Sequence, residues 1–258
     1  MAVFAGQGDA GRSLRLLWRA PGGGGPGLSV DAIVDAAVEV ADREGLAGLS
    51  MRAVGERLGR SAMALYAYVP GKAELVDLMC DRVLGGFPAE YPVDAGWRVA
   101  LRAWAVDARG FFLAHPWVLQ VSQARPVLGP NEFAMVEGLL GILRSTGLGA
   151  PVVRGVVGAV VQFVRGAAGV VAEARRAARE TGLSDEEWWW SRSGVLAEVA
   201  PDFAERFPLS AWLAAEGPGA GVSFVERGAV EAFEVGLEVL LDGVEAAVAR
   251  AGGASSVG

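Results

Sequence analysis

Arg52, Arg57, Arg60 and Lys72 fall between Ser50 and Ala73 with Tyr66 and Tyr68, and Glu56 is the only acidic residue among them. Residues of these kinds grip a polyanion. A guanidinium bonds guanine O6 and N7 together, while ammonium and phenol groups hold phosphates and fix register without reading sequence. Catalysis is poorly served. His115 and Cys80 are the only histidine and cysteine, and no His-x-x-x-His, Gly-x-Ser-x-Gly or metal-ligand cluster occurs. Gly71–Lys72 lacks the earlier glycine and the following hydroxyl residue of a phosphate loop. Gly22, Gly24 and Gly27 formally fit G-x-G-x-x-G, but no strand pattern precedes them and Pro26 interrupts the run. The expectation is a protein without catalytic residues, metal or cofactor; a carboxylate-only site, for example Asp107 with Glu137, is the remaining enzymatic alternative. A lone cysteine excludes an internal disulfide, and Cys80 reads as a small buried hydrophobe.

The basic residues need short helices to position them. Ser50 caps a helix over about Met51 to Leu58, with Met51, Val54 and Leu58 at helical spacing, and Gly59 supplies the left-handed residue that ends it. Ser61 caps the next helix, Ala62 to about Ala67, which turns Leu65 inward. Pro70 and Gly71 stop that helix and Lys72 opens another. Two helices joined by so short a glycine turn are a helix-turn-helix signature. Upstream, Ser29 caps a helix with an apolar stripe of Ile33, Val34, Ala37, Val38 and Ala41 that closes at Gly45. Ile33, Val38, Leu46, Leu49, Val54, Leu58 and Leu65 can share one small core.

The run LSVDAIVDAAVEVADREGLAGLSMRAVGERLGRSAMALYAYVPGKAEL resembles the amino-terminal domain of the tetracycline-repressor (TetR/AcrR) family, continuously over residues 28 to about 86. The resemblance implies an all-α homodimer that places one recognition helix per subunit in a major groove. It also implies a carboxy-terminal domain that dimerises and holds a small effector. Carried over, the DNA-contacting positions are Arg52, Ala62, Met63, Tyr66, Tyr68 and Lys72, with Ser50, Arg60 and Ser61 beside them. Where many relatives carry polar base readers, Ala62, Met63 and Ala64 cannot form directional side-chain hydrogen bonds. Direct readout then leans on Arg52 and on apolar contact with thymine methyls, and Lys72, the only lysine of the chain, reads as a phosphate grip.

A net charge of -7 opposes DNA binding as a whole; a basic face on an acidic molecule reconciles the two and limits nonspecific binding. Residues 1–27 carry Arg12, Arg15 and Arg19 and end in PGGGGPG, which predicts a flexible arm, either a minor-groove reader or a disordered extension. Residues 28–86 then form the DNA-binding domain, 87–250 a helical effector and dimerisation domain, and 251–258 a disordered tail. Helices are predicted at about 94–114, 116–124, 131–145, 151–180, 184–198 and 223–250, with no period-2 strand. No signal peptide is evident. Arg154, Gln162, Arg165 and Glu173 interrupt the apolar stretch from Pro151 to Ala174, which reads as a buried helix. A cytoplasmic protein without a membrane partner follows.

Val153, Val157, Val160 and Val164 on one helix, with Phe233, Leu237, Leu240 and Leu241 on another, are the candidate homodimer face. Trp104, Phe111, His115, Trp117, Gln120, Phe133, Gln162, Phe163 and Arg165 are the candidate effector site, aromatic walls with a few polar points. Trp188, Trp189 and Trp190 lie about 100 degrees apart on a helix and cannot share one core; they read as interface. The combined expectation is a ligand-responsive repressor of a palindromic DNA operator. The alternative is an architectural or adaptor protein whose carboxy-terminal domain is filled solidly.

Overall fold

The computed structural model describes residues 3–19, 27–88, 90–122, 124–215 and 224–255. The expected Gly/Pro linker apart from Gly27, the Gly217–Gly221 loop and the last three residues of the tail lie outside them. Packing divides the chain into two compact units, residues 1–165 with 243–258, and residues 166–242.

In the first unit the elements are β1 (Val3–Phe4), α1 (Ala10–Leu17), α2 (Val30–Gly48), α3 (Met51–Leu58), α4 (Ala62–Tyr66), α5 (Lys72–Leu84) and α6 (Trp97–Ala114). A 3-10 turn at Pro116–Gln120, β2 (Val121–Ser122) and α7 (Pro130–Arg144) follow. Local chemistry explains the helix-turn-helix. Ser29, Ser50 and Ser61 each cap a helix, their hydroxyls accepting the N–H of Ala32, Ala53 and Ala64 at 3.1, 3.1 and 3.3 Å. Gly45 breaks α2 with φ 68°, and Gly59 closes α3 with φ 66°. Gly55 lets the turn fold back, since a Cβ there would meet the Arg60 carbonyl oxygen at 2.6 Å. Ile33, Val54, Leu65, Val69 and Leu75 are fully buried.

The amino terminus differs from the expected flexible arm. Residues 3–19 form a strap across α5, and β1 pairs in parallel with β2 (Val3 with Val121, Phe4 with Ser122). Asp9 caps α1, accepting the Arg12 N–H at 2.8 Å. Gly6 N–H donates to Asp77 Oδ1 at 2.8 Å, Ser13 Oγ–H to Asp77 Oδ2 at 3.1 Å and Asp9 N–H to Glu74 Oε1 at 3.2 Å. Trp18 Nε1–H donates to the Leu128 carbonyl at 2.8 Å, Arg19 pairs with Asp31, and Ala5, Ser13 and Leu17 are buried. These partners are remote in sequence, and the ladder is too short to write a period-2 pattern.

The second unit holds part of α8 (Ala150–Thr181), then α9 (Asp185–Val199), α10 (Phe203–Arg206), α11 (Pro208–Ala215) and the start of α12 (Phe224–Ser255). The two short helices α10 and α11 were not foreseen. Ser184 and Glu187 form a reciprocal capping box that starts α9. No residue of α9 to α11 is buried, and Trp188, Trp189 and Trp190 are all exposed.

Two expectations about the long helices need correction. Although α8 is long and apolar enough to cross a membrane by length and composition, it is not a wholly buried helix: Val160, Val164, Ala168, Val171 and Ala174 form one buried stripe while Val152 and Val170 are exposed. Of the expected dimer residues, Val160, Val164, Phe233, Leu237 and Leu241 are buried within the chain, and Val153, Val157 and Leu240 are half-buried. The apolar stripe of α12 faces its own chain, and its exposed apolar face is a different phase carrying Val235 and Val239.

Gly55→Ala is expected to lower stability by about 1–3 kcal/mol, because backbone must move to admit the methyl. Gly141→Ala on α7, where a Cβ meets nothing within 4 Å, should raise it by up to about 1 kcal/mol; urea unfolding of both variants checks the contrast. Burial pushes the Asp77 carboxyl above its ordinary value of 3.8, against the opposing pull of the Gly6 and Ser13 hydrogen bonds. The native state therefore holds this proton more tightly than the unfolded chain, and the stabilisation is present below about 3.8 and fades as pH rises through the raised native value. Asp77→Asn should cost most at pH about 4 and progressively less toward pH about 7, read as urea midpoints at the two pH values.

Candidate nucleic-acid interface

α3 and α4 present a mixed face. Met51, Val54 and Gly55 turn into the core, leaving Arg52, Glu56, Arg57 and Arg60 exposed. On α4 only Leu65 is buried; Met63 is 78% exposed, and Tyr66 and Tyr68 are exposed beside it. Ala62 is half-buried, and Ser50 and Ser61 spend a hydroxyl lone pair on capping. Five of the nine expected DNA-contacting residues thus carry solvent-exposed side chains that are free of any capping duty: Arg52, Arg60, Met63, Tyr66 and Tyr68.

The basic charge is less available than its sequence density implies. Arg52 Nε–H donates to Glu56 Oε1 at 2.8 Å, and the pair holds the guanidinium pKa above its ordinary value. Arg57 pairs with Glu39 of α2, which also lies 3.8 Å from Arg43. Lys72 Nζ donates to the Leu49 carbonyl at 2.6 Å and the Leu46 carbonyl at 3.3 Å. The lone lysine therefore clamps α5 to the junction of α2 and α3, a role that a phosphate-gripping reading does not contain. Its partners are backbone carbonyls, which leave no sequence signature.

The expected effector residues do not converge on one site. Phe111 and His115 line a cleft of about 510 Å³ with Val83, Phe87, Val106 and Asp107, between the end of α5 and α6. Phe87 and Phe111 lie 5.3 Å apart, and Trp104 stands behind Phe87 at 6.3 Å, buried with its Nε1 unpaired among the described residues. Asp107 accepts the Tyr91 hydroxyl at 2.8 Å, and burial pushes the Tyr91 pKa up.

The remaining candidates do other work. Gln120 and Gln162 are exposed, Phe163 is half-buried, and Phe133 is exposed against Trp18 at 6.2 Å. Arg165 donates to the Leu119 and Val121 carbonyls at 2.8 and 3.1 Å, and desolvation lowers its pKa. The spacing of Gln162 and Arg165 on an apolar helix suggested a shared pocket, but one points to solvent and the other secures the 3-10 turn. Burial, then the neighbouring Asp77, Glu132 and Asp81 carboxylates, push the Cys80 thiol up to about 12, which removes thiolate chemistry near neutral pH.

Asp42 and Phe87 line or hold the cleft without having been marked in the sequence, and Asp107 stood there only as an example of the enzymatic alternative. Asp42 Oδ1 accepts Trp117 Nε1–H at 2.7 Å and lies 2.8 Å from His115 Nδ1. A carboxylate of α2 thereby holds both the 3-10 turn and a wall residue of the cleft. Among these three, only Phe87 carried a signal, an aromatic directly after the Gly85–Gly86 helix end.

Residues 33–79 match the family described as bacterial regulatory proteins, tetR family, and residues 89–248 match the tetracyclin repressor-like, C-terminal domain. The HTH-type transcriptional repressor DrrR1 of Streptomyces coeruleorubidus is 40% identical over 98% of this chain and 92% of the relative. The structure of the Streptomyces coelicolor TetR family protein ActR in complex with actinorhodin superposes with TM-score 0.67 at 27% identity, over 86% of this chain and 98% of ActR. ActR in complex with (S)-DNPA gives 0.66 at 27% identity, over 86% and 99%. The helix-turn-helix, the helical remainder and these likenesses agree: the chain belongs to the tetR family of bacterial regulatory proteins and is a DNA-binding transcriptional regulator.

Proposed function

We propose that the protein is a repressor that grips a palindromic operator as a homodimer through α3 and α4 and leaves it when a small effector enters the cleft of Phe87, Phe111 and His115. The observation that carries the reading is Asp42, which ties the cleft wall at His115 to α2 of the DNA-binding helices. An effector that binds better to the arrangement in which this tie is broken disfavours the DNA-bound spacing, and DNA disfavours the effector by the same factor. The aromatic wall suits a flat, largely apolar molecule, and Asp107 offers it a hydrogen-bond acceptor. ActR, solved with actinorhodin bound, supports control by a small molecule.

For the homodimer, the exposed faces of α8 at Val170 and of α12 at Val235 and Val239 stand beside the half-buried Val153, Val157 and Leu240 as candidates, in place of the buried valines and leucines. Two such helices per subunit supply four to an interface. Paired recognition helices then meet successive major grooves, about 34–36 Å apart. Arg60, Tyr66 and Tyr68 supply phosphate contacts, and Arg52 and Met63 face the bases.

Retention of genomic fragments flanking the protein's own gene, at two salt concentrations, tests the reading: a palindromic site held with salt-sensitive affinity supports it, and no selective retention sinks it. Arg52→Ala should lower operator affinity and relax preference at one base position in each half-site, by a factor of roughly ten or more. Lys72→Ala should instead unfold at lower urea and leave the salt slope nearly unchanged, since two of its ammonium donors are held by carbonyls at the end of α2 and direct it there; a slope lowered by about one would return it to the phosphates. In a screen for compounds that release the operator, Phe111→Ala should raise the half-release concentration at least about tenfold without altering DNA affinity.

A further inference from the structure

We propose that Glu56 and Arg52 act as one composite base reader, in which Arg52 takes a guanine and Glu56 takes the amino group of a cytosine, so that Glu56 is a specificity-determining residue. The proposal rests on α3 lying against DNA, as argued above.

The geometry begins with the bond from Arg52 Nε–H to Glu56 Oε1 at 2.8 Å. A guanidinium can present two forks, one through Nε and a terminal nitrogen, the other through both terminal nitrogens. With Nε engaged, only the terminal fork remains, and it matches the O6 and N7 acceptors of guanine. Glu56 keeps Oε2, which has no hydrogen-bond partner among the described residues. A carboxylate oxygen in a major groove has one well-matched base partner, the N4 amino group of cytosine. Side chains of Arg52 and Glu56 are 85% and 64% exposed on the face opposite Met51 and Val54, so both reach outward together.

Need and cost point the same way. Ala62, Met63 and Ala64 on α4 have no strong side-chain acceptor, so without Glu56 this surface has only hydroxyls, the two phenols and the second lone pairs of the capping Ser50 and Ser61, to accept from a base amino group. An exposed i,i+4 ion pair adds little helix stability, which gives no reason to keep an acid here. Beside phosphates a carboxylate is repelled at every sequence, and its bond to cytosine offsets that repulsion at the correct one only. Glu56 therefore acts by discrimination, penalising all DNA and relieving the penalty at its own base.

Full-length wild type, Glu56→Gln and Glu56→Ala, each checked for helical content, are taken through selection from randomised duplexes, and their affinity for mixed-sequence duplex is measured at two salt concentrations. Wild type is expected to require guanine and cytosine at adjacent or paired positions in each half-site. Glu56→Gln should move the cytosine position toward adenine, because a glutamine amide both accepts and donates. Glu56→Ala should lose preference at that position alone, by roughly tenfold or more. Both variants should bind mixed-sequence DNA more tightly, with a salt slope steeper by about one. Tighter binding by the same factor at every sequence, with base preferences unchanged at all positions, would overturn the proposal and leave Glu56 a solvated charge. Failure of wild type to select any site would instead remove the DNA reading beneath it.

Discussion

Three carboxylates on one face of α5 govern how the first unit is assembled. Glu74, Asp77 and Asp81 recur at helical spacing and are all buried, so each needs donors from elsewhere. Glu74 and Asp77 are supplied by the strap, through the N–H groups of Asp9 and Gly6 and the hydroxyl of Ser13. Asp81 takes the N–H groups of Asn131 and Glu132 at 3.0 and 2.9 Å and the Asn131 amide at 3.1 Å, which also caps α7. At the start of the same helix Lys72 holds the carbonyls that end α2. α5 is therefore fixed along its length to the strap and α7 by bonds whose loss leaves a buried carboxyl without donors, and to the DNA-binding helices by Lys72. Neutral packing alone would let it slide more cheaply.

The same economy governs the DNA face. Its arginines are largely answered by the chain's own carboxylates, Arg52 by Glu56 and Arg57 by Glu39, and the chain carries a net charge of -7. Phosphate attraction, which contributes equally at every sequence, is thereby restrained. On the reading proposed above, contacts that depend on the base fall mainly to α3, because Ala62, Met63 and Ala64 on α4 lack strong side-chain hydrogen-bonding groups.

Local features were legible in the sequence and remote ones were not. Ser29, Ser50, Ser61, Gly45 and Gly59 write their roles within a few residues, because capping and left-handed turns are local chemistry. The strap was missed because its donors and acceptors lie 65 and 71 residues apart, and its arginine-rich composition resembles that of a free arm. Five of the expected dimer residues, Val160, Val164, Phe233, Leu237 and Leu241, are buried within the chain, because a stripe of valine and leucine marks a buried face but not whether the covering element is the same chain. Of the expected effector residues, Phe111 and His115 line one cleft, as the nearly correct placement of α6 allows, whereas Gln162 and Arg165 are neighbours on α8 of which one is exposed and the other reaches the carbonyls of Leu119 and Val121.

Asp42 shows where coupling in such a chain can act. One carboxylate oxygen is shared between the Trp117 indole and the His115 imidazole; the first belongs to a fully buried side chain, the second to the wall of a cleft open to small molecules. A ligand that draws His115 away leaves the carboxylate with the indole alone. Asp42 is exposed, so water can take the place of His115 on its carboxylate, whereas the indole of fully buried Trp117 has no such substitute; the His115 bond is therefore the one a ligand can break. Since α2 packs against both α3 and α5, the broken arrangement reaches the helices that face DNA without passing through any disordered segment among the described residues. On the reading proposed above, this breakable bond is where a small effector and an operator would be linked.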